Sequence, residues 1–122
     1  MASTKVFTAL FSAETLTAGA GDKTSALATL DDGYGASLHL KITNGGTGPT
    51  VAAQMQVQVS GDNSEWYKFG EAFVGSVTAS AVRSWGGIDI PPGVEYLRVL
   101  AGSNTDQNVV VDADISEVTA LS

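Results

Sequence analysis

The sequence predicts an all-β chain, a single-domain antiparallel β-sandwich of about eight strands. Three observations carry that expectation. Residues 51–59 alternate without error, with Val51, Ala53, Met55, Val57 and Val59 on one side and Ala52, Gln54, Gln56 and Gln58 on the other. A strand sends successive side chains to opposite faces, so this stretch is a strand with one dry face. Clusters of Gly, Asp, Asn, Ser and Pro recur between short apolar runs, and no run presents a convincing helical period.

Taken in order, Lys5–Phe11 reads as a first strand or extended arm that Leu16 continues, followed by a Gly-rich loop through Asp22. Residues 1–16 are therefore set apart as an N-terminal strand or arm, and residues 17–122 as the sandwich domain. Thr24–Leu30 is a strand of mixed parity. Asp31-Asp32-Gly33-Tyr34-Gly35 is turn chemistry. Leu38, Leu40 and Ile42 then point inward, with Ser37, His39, Lys41 and Thr43 outward. Asn44–Pro49 is a loop into the alternating strand. Ser60-Gly61-Asp62-Asn63-Ser64 turns that strand back toward Trp66-Tyr67 as a hairpin, because Gly tolerates positive φ and Asp and Asn bond their own backbone.

Short strands follow through Val82, then Ile88–Ile90, closed by Pro91-Pro92-Gly93. Folding Val94–Ala101 antiparallel onto Asn108–Val118 about Thr105 sets Val99 opposite Val111 and Leu97 opposite Ala113. The same register sets Arg98 opposite Asp112 and Tyr96 opposite Asp114, a charge-matched cross-strand arrangement.

Composition narrows the function. The chain has 122 residues, 43% of them hydrophobic, enough for a real core. It has no cysteine, so no disulfide framework or thiolate metal site is available. Six Lys/Arg stand against 13 Asp/Glu, for a net charge of −7. Direct binding of nucleic acid or of an anionic membrane needs the opposite sign, so neither is expected. Lys5 ahead of Val6–Phe11 imitates a signal peptide, but Ser12 and Glu14 interrupt the apolar run, and a processed leader is the poorer reading. No segment has the length of a membrane-spanning helix.

The run Gln56-Val57-Gln58-Val59-Ser60-Gly61-Asp62-Asn63-Ser64-Glu65-Trp66 resembles the strand–turn–Trp element of discoidin-like jelly rolls and of small phage virion β-sandwiches. Ile90-Pro91-Pro92-Gly93-Val94-Glu95-Tyr96-Leu97-Arg98-Val99 resembles their later strand leading to an Arg beside the core. The short, acidic, Cys-free, Gly/Ser/Thr/Ala-rich texture is also similar to small head proteins of tailed phages. The resemblance implies a jelly-roll-like sandwich and a non-enzymatic capsid decoration role in the virion. It further implies a homo-oligomer, here expected as a trimer, against the major capsid protein or another virion protein. The alternative is a carbohydrate-binding or adhesive β-sandwich.

Candidate residues divide accordingly. Val6, Phe7, Leu10 and Phe11 are the expected partner contacts, since a small sandwich hides only one face of each sheet. Trp66, Tyr67 and Trp85 are the aromatics that would face a sugar. Arg98 and Asp112 form the expected cross-strand pair. His39 is the single histidine, on an outward position with no nucleophile elbow. Asp31-Asp32-Gly33 and Gly61-Asp62-Asn63-Ser64 offer hard oxygens but lack the spacing of a calcium loop. No catalytic set, metal or cofactor is expected.

Overall fold

The computed structural model describes residues 3–30 and 34–121, with side chains over 5–30 and 34–118. The Asp31-Asp32-Gly33 turn lies outside the described residues. In chain order the strands are β1 (Ser3–Leu16), β2 (Lys23–Thr24), β3 (Ala28–Thr29), β4 (Ala36–Asn44), β5 (Gln54–Ser60), β6 (Tyr67–Lys68), β7 (Phe73–Val74), β8 (Val82–Ile90), β9 (Tyr96–Gly102) and β10 (Val109–Leu121). One sheet has the order β1-β10-β4-β8 and the other β2-β9-β5-β6, every pairing antiparallel. β3 also pairs with β9, and β7 also pairs with β5.

Reading β2 with β3, and β6 with β7, as two interrupted strands recovers the expected count, four strands on each side. The chain is then a nested hairpin: β1 with β10, β2/β3 with β9, β4 with β8, and β5 with β6/β7. Rolling that ribbon up brings β10 beside β4 and β9 beside β5. This is the jelly-roll arrangement, and it leaves interrupted strands, β2/β3 and β6/β7, at two of the four sheet borders.

Inward parity is what holds the layers together. Leu38, Leu40 and Ile42 of β4 and Val109, Val111, Ala113 and Ile115 of β10 are buried from one sheet. Met55 and Val57 of β5 and Leu97, Val99 and Ala101 of β9 are buried from the other. Fully burying one aliphatic side chain of this kind contributes about 1.5–3 kcal/mol. The hairpin after β5 forms as expected, with Val59 opposite Tyr67 and Gln58 opposite Lys68.

The expected hairpin between β9 and β10 does not form. The two strands lie in different sheets, so Arg98 stands opposite Gln58 and Asp112 opposite Lys41. Val99 and Val111 are both buried, facing the interior from opposite layers. The loop between them is an arch. Asn104 donates its amide to Leu16 O at 3.0 Å and Gln107 O at 2.9 Å, and Thr105 exchanges backbone bonds of 3.3 Å with Thr50 and Val51.

At the other flank, loop 75–81 closes the sandwich between β7 and β8. Asn44, buried at the end of β4, donates to Ser76 O at 2.7 Å and Thr78 O at 2.8 Å. Gly48 passes so near the Val77 carbonyl that a side chain there would overlap it.

Candidate functional site

A hollow of about 420 Å³ lies on the outer face of the β1-β10-β4-β8 sheet. Outward parity supplies its polar wall. Asp112 and Asp114 of β10 stand directly opposite Lys41 and His39 of β4, and Ser84 of β8 stands opposite Lys41. A register irregularity in β8 follows, where Gly86 packs beside the His39 ring and Gly87 takes a φ of +67°. A glycine suits that left-handed backbone, and the bulge re-aims the strand around the hollow.

Within the hollow, His39 Nδ1 lies 3.2 Å from Asp114 Oδ1, and Lys41 Nζ lies 3.9 Å from Asp112 Oδ2. Asp112 Oδ1 also accepts a 2.8 Å bond from Ala13 N, at a bulge where Ala13 has a φ of 45°. All four ionisable side chains are at least a third exposed, so each pair contributes at most about 1 kcal/mol. A His oriented by a carboxylate with a serine on the same wall has the makings of a nucleophile relay. No hydrogen bond joins Ser84 to His39 among the described residues, and the hollow is an open sheet face rather than a water-excluding cleft. The arrangement is a charge-matched surface ladder.

Sequence reasoning missed the Asp114–His39 and Asp112–Lys41 pairs. The signal was present in the outward parity of both strands. Registering residues 109–117 against residues 36–44, in place of residues 94–101, matches two anions to two cationic or ionisable partners.

The three candidate aromatics are not brought together. Trp66 projects on the outer face of the second sheet, where the Arg98 guanidinium lies 4.1 Å above its ring and donates to Gln58 Oε1 at 2.8 Å. Tyr67 is 61% exposed beside a small hollow lined by Val59, Ser60, Gly61, Gly93 and Val94, and donates its hydroxyl to Glu65 at 2.9 Å. Trp85 belongs to the other sheet and packs against Phe73 at 5.2 Å between ring centroids, closing the flank between the sheets. One flat stacking platform is not formed by these rings.

The four candidate contact residues split as well. Leu10 and Phe11 are buried in the core of the chain itself, whereas Val6 and Phe7 are 47% and 64% exposed. A register shift between Ala9 and Phe11 explains how two consecutive residues both reach the interior. Val74, Val77 and Val82 add exposed apolar surface near the closed flank, where Arg83 donates to Val74 O at 3.3 Å.

The 61–65 turn is built around Asp62. Its Oδ1 accepts from Ser64 N at 2.9 Å, Glu65 N at 3.0 Å and Ser60 Oγ at 3.1 Å. Those donors, Glu65 foremost, hold the Asp62 carboxyl below the usual carboxylate range. Among the described residues no three His, Cys, Asp or Glu side chains group as metal ligands, and no helix is long and apolar enough to cross a membrane.

No protein-family model matches the sequence, and no curated protein matches it. Solved structures do match. The infectious bursal disease virus VP2 subviral particle is similar with a TM-score of 0.59 at 9% identity, over 95% of this chain and 33% of that one. The SPBc2 prophage-derived protein YomS is similar with a TM-score of 0.52 at 12% identity, over 96% of both chains. The K1 cleaved adhesin domain of Lys-gingipain from Porphyromonas gingivalis W83 is similar with a TM-score of 0.51 at 15% identity, over 95% of this chain and 75% of that one. The common ground is the fold. This chain spans about a third of the length of the infectious bursal disease virus chains it matches.

Proposed function

We propose that this chain is a non-enzymatic structural protein of a phage virion, a decoration protein that binds the assembled head through oligomeric contacts with the major capsid protein or another virion protein. The observation that carries the reading is the correspondence with the prophage-derived protein YomS, which runs over 96% of both chains and so matches this sandwich as a whole. The likeness to the VP2 subviral particle adds a second case of the same fold in a viral particle. The exposed Val6, Phe7, Val74, Val77 and Val82 supply apolar contact area on an otherwise acidic surface. Binding to an assembled lattice stabilises it by mass action, and several copies acting together raise avidity without new contacts per copy.

The test is to band the particles of the encoding phage by density and identify their proteins by mass spectrometry. The chain is expected at a fixed, high copy number in the head band. Its absence from purified particles would end this reading.

An adhesive or carbohydrate-binding module is the second reading, favoured by the likeness to the K1 adhesin domain and by the exposed ring of Tyr67. A glycan array separates the two. Saturable binding that Tyr67→Ala abolishes would select the second.

A further inference from the structure

β1 forms a border of its sheet: one edge is bonded to β10, and among the described residues no strand lies on the other. That outer edge is touched at Leu10, whose carbonyl accepts from Ala26 N at 3.2 Å. Along Lys5–Ala9 no comparable bond is present among the described residues. The same five residues are the regular part of the strand. They pair one-to-one with Val118, Glu117, Ser116, Ile115 and Asp114, between register shifts at Thr4/Lys5 and Ala9/Phe11. Sheet borders are ordinarily blunted by charges, prolines or bulges, because free N–H and C=O groups template further strands. This stretch has one charge, no proline, and exposed Val6 and Phe7.

We propose that Lys5–Ala9 pairs antiparallel with the same segment of a second copy, about a two-fold axis at Phe7, so that two four-stranded sheets run on as one. An interface of this isologous kind places each residue opposite its symmetry counterpart. Phe7 meets Phe7 of the second copy, Val6 meets Thr8, and Lys5 meets Ala9. Residues opposite one another on a ladder share a face, so Lys5, Phe7 and Ala9 project outward with Val118, Ser116 and Asp114.

Charge complementarity selects a second copy as the occupant. A chain of net charge −7 repels itself over most of its surface, but residues 3–13 contain no carboxylate. Across the two-fold, Lys5 reaches over the small Ala9 of the second copy. One strand further, at a spacing of about 4.8 Å, stands that copy's Asp114. Symmetry makes this ion pair twice, on either side of an aromatic pair. The proposal rests on the structural reading above only for its expectation of self-association.

The full chain is tested by sedimentation velocity over a dilution series, beside Phe7→Lys, which sets two cations against each other at the axis. A concentration-dependent dimer is expected, with a dissociation constant raised about tenfold or more by the substitution. Because the chain has no cysteine, Phe7→Cys and Tyr67→Cys provide a second readout at two comparably exposed positions. On mild oxidation Phe7→Cys is expected to form disulfide dimers much faster than Tyr67→Cys. A wild type that stays monomeric, an oligomer indifferent to Phe7→Lys, or equal cross-linking rates would each overturn the pairing. Circular dichroism identifies a variant that has lost its fold, and the two cysteine chains then decide. A dimer that forms as described in a protein absent from phage particles leaves this inference standing and removes the virion role.

Discussion

The guanidinium of Arg98 lies 4.1 Å above the ring of Trp66, and the same side chain donates to Gln58 across β5 and β9. An arginine expected to meet an aspartate is instead anchored by an indole and an amide on the outer face of the second sheet. Cation–π contacts at partly exposed sites contribute about 0.5–1 kcal/mol. A double-mutant cycle on Arg98→Ala and Trp66→Ala is therefore expected to return a coupling in that range. The parallel cycle on Arg98 and Asp112, which lie in different sheets, should return none. Measurable coupling of Arg98 to Asp112 would restore the hairpin that the structure replaces.

The division of β1 into a core half and a surface half has a direct thermodynamic signature. Phe11 is buried among core residues, so Phe11→Ala is expected to cost about 3–5 kcal/mol. Phe7 is largely exposed, and Phe7→Ala should shift the stability of the dilute chain by no more than about 0.5 kcal/mol. Urea unfolding of the two variants checks both figures. Similar losses at the two positions would mean that the strand is seated in another register.

What could be read in advance follows from what alternation encodes. Parity tells which residues face inward, and it does so residue by residue for β4, which buries a single face. In β5 it holds for Met55 and Val57, whereas Val59 is half-buried, Ser60 is buried at the start of the turn, and Val51 ahead of the strand is exposed. Parity does not tell which strand lies alongside. Val99 and Val111 face inward whether β9 and β10 are neighbours or lie in opposite layers, and a six-residue polar loop suits a hairpin or an arch equally well. The arch is settled by long-range bonds from Asn104 and Thr105 to Leu16, Thr50 and Val51, which no local pattern announces. Parity also fails wherever a bulge intervenes, so the sequence does not separate the buried Leu10 and Phe11 from the exposed Val6 and Phe7. The interrupted strands β2, β3, β6 and β7 have two residues each, too few for a period. The outer-face ladder of His39, Lys41, Asp112 and Asp114 became visible only once β10 was seated on β4.

Closure of the flank between β7 and β8 depends on a side chain that imitates backbone. Asn44 satisfies the carbonyls of Ser76 and Thr78, and its own N–H donates to Ala81 O at 2.9 Å. Asn44→Ala strands the Ser76 carbonyl and leaves Thr78 O only its 3.3 Å bond from Ala81 N, at a cost of about 1–3 kcal/mol. Gly48→Ala acts on the same loop from the other side by driving a methyl into the Val77 carbonyl, and forced overpacking costs about 1–3 kcal/mol. Because both act through loop 75–81, the double variant should lose less than the two single losses combined. Thermal melts of the three variants test this, and strict additivity would separate the two contacts.

The turn after β5 should give the chain an acid-sensitive element. Asp62 accepts from Glu65 N, Ser64 N and Ser60 Oγ as a carboxylate, and these donors lower its folded pKa below the unfolded value of about 3.9. The unfolded chain therefore takes up the proton first as the pH falls. The stabilisation is complete above the unfolded pKa and is lost as the pH drops through the folded one. Asp62→Asn keeps an amide oxygen to accept the same bonds but removes the charge that strengthens them. At neutral pH the variant is expected to melt below the wild type, and the gap should narrow once the pH passes below about 3.9. Melting temperatures of both chains across that range decide the matter, because a gap independent of pH would assign the loss to turn geometry and not to the ionised carboxylate.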